Sequence, residues 1–400
     1  MDTLKFKIQQ LSNQYLNEII NLRRRFHANP ELAFDEIVTG DIICSELDKA
    51  NIPYKRGIAK TGIVAIIEGK NPEKKAIGLR ADMDALQITE KSNADYCSKN
   101  EGKMHACGHD VHMASLIGAA KILNTLKDSF EGTIKFVFQP SEEKYPGGAI
   151  LMIKEGVLQN PLVTTMIGQH VHPGIGAGKI GLKPGKSMAS TDEIYITING
   201  KGGHAATPEL IIDPIVIASH VVIGLQHIVS RMATPTVPTV LSFGRIVANG
   251  KTNIIPDQVF MEGTFRTVDE KWRDEAHKLI KQIAENIATA FNGSCEVFID
   301  RGYPYLLNDD KLTAKIKNYA IDYLGSANVF DIDLRMTAED FAYYSHTIPS
   351  CFYRLGVKDN SKNEILNLHT SSFDVDESCM ETGMGFMAWV AVNELKENVE

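Results

Sequence analysis

The sequence predicts an α/β fold: one α/β domain with a mostly parallel sheet, interrupted by an inserted ferredoxin-like α+β domain. Three observations predict it. Short apolar runs alternate with helix-period segments over the first 185 residues, the rhythm of stacked βα units. Between 186 and 302 the order changes to strand, helix, strand, strand, helix, strand, which is the ferredoxin-like pattern. After 303 the α/β rhythm resumes, so an insertion fits better than two tandem domains. The expected domains are therefore 1–185 and 303–400, which together form the α/β part, and 186–302, the insertion. At about 150 residues per domain, 400 residues suit this division.

Taken in order, residues 4–28 and 35–50 repeat apolar positions at helical spacing, and Asn29-Pro30 breaks between them. Residues 63–68 and 76–79 are short apolar runs, read as buried strands. Residues 112–126 read as a helix, 133–138 as a strand, 147–155 as a short helix and 165–171 as a strand. In the insertion, 193–199 alternates like a half-exposed strand and 214–230 is a long apolar helix. Strands follow at 240–247 and 258–267, then an amphipathic helix at 269–290. The last part offers helices at 309–324 and 338–345, a strand at 351–355 and a closing helix from 377. No repeat or low-complexity tract is visible.

Composition narrows the function classes. Hydrophobic residues are 44% and charged residues 23%, which excludes disorder for most of the chain. The net charge is −8, and no basic stripe exists beyond Arg23-Arg24-Arg25, which argues against nucleic-acid binding. No apolar run reaches the ~18 residues of a membrane span, and the N-terminal segment lacks the pattern of a signal peptide. Six scattered cysteines without a CxxC predict reduced thiols. A soluble cytoplasmic protein is expected.

The chemistry-bearing residues cluster. Residues 104–112 read M-H-A-C-G-H-D-V-H, with three histidines, a cysteine and an aspartate just before a helix. Thiolate and imidazole together suit Zn²⁺, and with adequate geometry Ni²⁺, Co²⁺ or Mn²⁺. Strand 133–138 runs into Gln139-Pro140-Ser141-Glu142-Glu143. Adjacent carboxylates at a strand exit point in different directions, so one can bind a metal while the other serves as a base. Strand 165–171 ends in His170-Val171-His172, and strand 76–79 leads into Arg80-Ala81-Asp82-Met83-Asp84. The carboxyl ends of strands in an open α/β sheet form its active crevice, so three strands deliver metal-type residues to one edge. His369 lies in a loop before the last helix. Two segments, 185–187 and 250–252, look like the end of a phosphate loop, but the required upstream glycine is Ile180 or Arg245. There is no G-x-S-x-G and no H-E-x-x-H.

The set R-A-D-M-D-A-L (80–86), M-H-A-C-G-H-D-V-H (104–112), Q-P-S-E-E (139–143), H-V-H (170–172), G-K-G-G-H-A-A (200–206), N-I-I-P (253–256) and L-H-T (368–370) resembles the M20 metallopeptidase family. The resemblance is to its amidohydrolase branch of N-acyl-L-amino acid amidohydrolases, hippurate hydrolases and auxin-conjugate hydrolases. It runs from His27-Ala28-Asn29-Pro30-Glu31-Leu32 to the last helix. It implies a catalytic α/β domain interrupted by a lid and dimerisation domain. It also implies that Cys107, His109, Glu143, His170 and His369 ligate two divalent metal ions, Zn²⁺ or Mn²⁺ first and Ni²⁺ or Co²⁺ next. Glu142 would be the general base, Asp82 the supporting acid, and His204 a holder of the developing oxyanion. Asn253 and Arg266 would grip the substrate carboxylate, and the lid would pair two chains as a homodimer.

The implied reaction is cleavage of the amide bond of N-acyl-L-amino acids, acetyl, benzoyl or similar, by a metal-activated water. A dipeptidase or carboxypeptidase acting on short peptides is the alternative. A thiol nucleophile at Cys107 is a rival chemistry, but it leaves three ligand-type residues without a role. A non-enzymatic binding protein would lack a ligand or the base, and none is missing. Two departures from the branch, Gln87 after Leu86 and the bulky Lys144-Tyr145-Pro146 loop, bear on substrate preference.

Overall fold

The structure is a computed structural model that describes residues 3–361 and 365–396. The first stretch runs α1 (Thr3–His27), α2 (Ile37–Lys49), β1 (Tyr54–Ile58), β2 (Gly62–Glu68), β3 (Ala76–Asp82), α3 (His109–Thr125), β4 (Thr133–Gln139), α4 (Gly148–Lys154), β5 (Val163–Gly176), β6 (Ile180–Leu182) and β7 (Gly185–Met188). Then come β8 (Asp192–Asn199), β9 (Gly203–His204), α5 (Pro214–His227), β10 (Thr239–Val247), β11 (Ile254–Ile255), β12 (Gln258–Thr267), α6 (Glu270–Ala290) and β13 (Ser294–Arg301). The chain closes with β14 (Leu306–Asn308), α7 (Asp310–Leu324), β15 (Val329–Asp331), α8 (Ala342–Ser345), β16 (Ser350–Lys358) and α9 (Cys379–Lys396).

Two compact units result. The first comprises Met1–Ser187, Leu307–Asp333 and Asp340–Glu400; the second comprises Met188–Leu306 and Leu334–Glu339. The last of these segments was expected in the α/β part. It joins the second unit because the Ala189 N–H is donated to the carbonyls of Arg335 and Thr337, at 3.0 and 3.1 Å.

The first unit is built on an eight-stranded sheet of order β1-β2-β4-β3-β5-β16-β6-β15. The central strands β4, β3, β5 and β16 are mutually parallel, while β1, β2 and the β16–β6 pairing are antiparallel. The central strands are apolar because both faces are covered: β3 and β4 are buried at every position. Helix α3 is buried on nearly every side and packs against α1 and α9. Phe136, in mid-β4, is fully buried, and truncating such a side chain to alanine costs about 3–5 kcal/mol.

The second unit has an antiparallel sheet of order β10-β12-β8-β13, the ferredoxin-like arrangement, with α5 and α6 packed together. Alternation in β8 buries Ile194, Ile196 and Ile198 against Ile217, Val221, Ile280 and Ala284 of the two helices. Asp213 starts α5 by accepting the N–H groups of Ile215 and Val216, and Asp269 starts α6 by accepting that of Trp272. One departure from the sequence reading concerns length. The helical stretch Pro214–Met232 is long and apolar enough to span a membrane by composition alone. Here its apolar stripe (Ile217, Ala218, Val221, Leu225, Ile228) lies in the core of the second unit.

Candidate metal centre

The cluster forms where the parallel strands end. β3 delivers Asp82 and then Asp84, β4 leads to Ser141, Glu142 and Glu143, and β5 carries His170. The chain enters α3 through Gly108 at φ 85°, where a Cβ would meet Val171 Cγ2 at 2.5 Å. Only glycine permits that turn, and it sets Cys107 and His109 on the same side as His170. His369 arrives from the loop before α9 with φ 60°, its N–H donated to the Ala106 carbonyl at 2.8 Å.

The ligand-type atoms converge. Cys107 Sγ lies 3.4 Å from His170 Nε2 and 3.3 Å from His369 Nε2. Glu143 Oε1 lies 3.3 Å from His369 Nε2 and 4.0 Å from His109 Nε2. Glu142, buried, joins His109 and Glu143 in a third group whose ligand atoms all lie within 4.8 Å of one another. Asp82 Oδ2 stands 3.6 Å from His109 Nε2.

The tautomers follow from the hydrogen bonds. His109 Nδ1–H is donated to the Asp84 carbonyl at 2.8 Å, and His170 Nδ1–H to the Val171 carbonyl at 2.8 Å. Each turns its Nε2 toward the cluster, the orientation of a metal-binding imidazole. His112 Nε2 accepts the Val171 N–H at 2.9 Å, so its Nδ1–H is donated to Asp82 at 2.6 Å. His112 is thereby a brace for the strand that carries His170, and not part of the cluster itself.

A divalent cation fits these residues. His109 Nε2 and Glu143 Oε1 are buried and have no hydrogen-bond partner, a costly state that a cation between them would relieve. Burial, then Glu143, Glu142 and Asp82, push the Cys107 thiol well up, so a thiolate there needs a cation beside it. Burial would lower His109, but Asp82, Asp84 and Glu143 outweigh it and raise its pKa to about 10. Burial, then His112, pushes His170 well down, which keeps it a neutral imidazole.

Three further residues hold the frame and were not singled out from the sequence. The Asp84 carboxylate accepts the N–H groups of both Glu142 and Glu143, at 2.9 Å each. Asp340 accepts from Arg80 Nη2, from Gln139 Nε2 and from the Ala149 N–H, at 2.8, 2.8 and 3.0 Å. Arg80 in turn donates to Asp82 at 2.6 Å. Glu36 accepts the Ser141 N–H at 2.9 Å and a bond from Thr61. A carboxylate that takes backbone N–H groups leaves no spacing pattern to find, although Asp84 stood inside R-A-D-M-D-A-L in plain view.

His204, Asn253 and Arg266 belong to the second unit. His204, exposed, pairs with Ile254 in the β9–β11 ribbon, and the Ala205 N–H is donated to the Asn253 carbonyl at 3.1 Å. Arg266 is half-buried in β12, its Nε donated to Thr264 Oγ1 at 3.1 Å.

Comparison with known proteins agrees with this geometry. Residues 78–393 match the model of peptidase family M20/M25/M40. The N-acyl-L-amino acid amidohydrolase of Geobacillus stearothermophilus is 40% identical over 307 residues, 77% of this chain and 82% of that protein. The N-acetyl-L-cysteine deacetylase of Bacillus subtilis is 38% identical over 383 residues, 96% of this chain and 89% of that protein. Among solved structures, Bacillus subtilis YXEP, described as a dinuclear metal binding peptidase from the M20 family, superposes with a TM-score of 0.81 at 33% identity, covering 96% of this chain and 99% of that one. The chain belongs to the M20/M25/M40 peptidase family.

Proposed function

We propose that the protein is a metal-dependent amidohydrolase that cleaves N-acyl-L-amino acids to a carboxylic acid and a free amino acid. One observation carries the reading: thiol, imidazole and carboxylate donors converge around a buried, unpartnered His109 Nε2 and Glu143 Oε1, beside a second glutamate. The two relatives named above act on substrates of this class by their names.

Cys107, His109, Glu143, His170 and His369 are the ligands of two divalent ions, and their mixed S, N and O donors suit Zn²⁺ or Mn²⁺. Ions held there would lower the pKa of a water ligand from 15.7 toward about 7 and polarise the amide carbonyl. Glu142 takes the proton of the attacking water and returns it to the amide nitrogen as the C–N bond breaks. Asp84 fixes the main chain of both glutamates, so that one carboxylate serves as a ligand and its neighbour as the base. Asp82 orients His109 and His112. His204 is assigned to the developing oxyanion, and Asn253 and Arg266 to the substrate carboxylate. The second unit acts as lid and as the surface of a homodimer. Ile215, Val216 and Ile223 are exposed on α5, and β10 is an edge strand, which supports that pairing. Six unpaired cysteines suit the reducing cytoplasm.

The test is amine release from N-acetyl and N-benzoyl amino acids and from plain dipeptides, with added Zn²⁺, Mn²⁺, Co²⁺ or Ni²⁺ and with chelator. Metal-dependent cleavage of the acyl amino acids is expected. Cleavage of dipeptides alone would replace the reading with a peptidase.

A further inference from the structure

The first unit has a cavity of about 730 Å³ that shares no residue with the histidine cluster. Its walls include Ile58, Val64, Ile66 and Val157, and Lys135 of β4 opens into it. That volume, with an apolar wall beside several polar side chains, is that of small-molecule sites.

Lys135 is the unusual member. It sits in mid-strand between Ile134 and Phe136 and is 2% exposed. Its ammonium donates to the carbonyls of Val157, at 3.1 Å, and Gln159. An ammonium has three N–H donors, so one is left over. Among the described residues no carboxylate pairs with it: Glu68 and Glu155 line the same cavity, but Glu155 takes the Ala59 N–H at 3.0 Å, and neither forms an ion pair with Lys135. Burial alone lowers its pKa, to about 8. Buried charges are normally paired, and the other buried lysines of this unit obey that rule: Lys75 meets Glu394 at 2.8 Å and Lys121 meets Glu46 at 2.7 Å. Lys55 and Lys127 also line the cavity, so with Lys135 its lysines outnumber its two glutamates.

We propose that this cavity binds a small monocarboxylate with an apolar body, its carboxylate paired with the Lys135 ammonium and its body against Ile58, Val64 and Ile66. The pairing supplies the missing counter-charge, and the apolar wall selects for a hydrocarbon or aromatic tail over a bare inorganic anion.

The test uses crystals of the metal-loaded protein soaked in 4-bromobenzoate. A bromine anomalous peak between Val64 and Ile66, with the carboxylate at Lys135 Nζ, is expected. Bromine found only at the histidine cluster, or nowhere, overturns the proposal. In solution, calorimetry with benzoate is compared between wild type and Lys135→Met, and with benzyl alcohol as the neutral analogue. Affinity for benzoate is expected to fall at least tenfold in Lys135→Met, and benzyl alcohol is expected to bind at least tenfold more weakly than benzoate. Equal benzoate affinity in the two proteins overturns it, as does equal affinity for the alcohol. A lysine that merely ties down the 155–160 loop would lower Tm on substitution and leave both binding readouts empty. The soak uses the wild-type chain, so it decides even if the variant does not fold.

Discussion

The two sheets of this molecule have different uses because their strands run differently. In the first unit, parallel strands present their carboxyl ends on one edge, and the loops that follow β3 and β4 meet His170 of β5 there. Most of the residues brought together are buried and cross-braced: Asp82, Asp84 and His109 are at most 1% exposed, while His369 is open to solvent. In the second unit, antiparallel strands have no common functional edge. One face of the sheet packs on α5 and α6, while Tyr195, Phe260 and Phe298 stand exposed on the other. His204 lies on a two-stranded ribbon and Asn253 just before its second strand, and both are exposed. Chemistry that needs ligands placed within tenths of an ångström is built on the first kind of sheet. Contacts made only when substrate or a partner chain arrives can be built on the second.

That contrast makes substitutions in the first unit far more damaging than those in the second. The largest effect is expected at Glu142, where Glu142→Gln should lower kcat by about 10²–10⁴-fold with metal content unchanged. Steady-state kinetics beside elemental analysis checks it, and near wild-type turnover would remove Glu142 from the proton-transfer role. Next is Cys107→Ala, which should bind less than the wild-type complement of metal, measured by mass spectrometry of the dialysed protein. Asp84→Asn comes third. An amide replaces one acceptor oxygen with a donor facing a backbone N–H, so about 10–100-fold in activity or metal affinity should be lost. Arg266→Ala, in the second unit, should raise KM by about tenfold or less and leave kcat within about twofold. A collapse of kcat there would erase the division of labour between the two units.

The smallest effect is on stability against pH. Burial would lower His27, but Asp110 at 2.8 Å and Glu90 at 3.3 Å outweigh it and raise its pKa to about 9. A histidine raised in this way stabilises the fold fully below its unfolded pKa of about 6.5, and the contribution fades as pH rises through about 9. Urea unfolding of wild type should therefore show a loss of stability between pH 6.5 and 9.5 that His27→Gln reduces.

The sequence was most legible where burial is complete. The apolar runs of β3, β4 and β16 and the helical periods of α1, α3 and α7 announce themselves because both depend on local pattern. Strand β1 did not, because Tyr-Lys-Arg-Gly-Ile is an edge strand with only its last residue buried. Helix α8 was expected over 338–345 and spans only Ala342–Ser345, since Asp340 is drawn instead into the Arg80 and Gln139 network. Strand β5 continues past 171 to Gly176 because β16 pairs with it along most of that length. In the cluster, Cys107, His109, Glu142, Glu143 and His170 were legible as metal-type residues at predicted strand and helix ends. Their supports were not. Asp84, Asp340 and Glu36 act through backbone N–H groups and through residues up to 260 positions away, and only the folded chain reveals such partners.

The most direct measurement is metal stoichiometry followed alongside amide hydrolysis, as chelator-stripped protein is titrated with Zn²⁺ or Mn²⁺. Two ions per chain are expected, with cleavage of an N-acyl amino acid absent in the stripped protein and restored as the sites fill. Full turnover by the stripped protein, or saturation with metal and no hydrolysis of any acyl amino acid, would contradict the assignment of this cluster as the centre of a metal-dependent amidohydrolase.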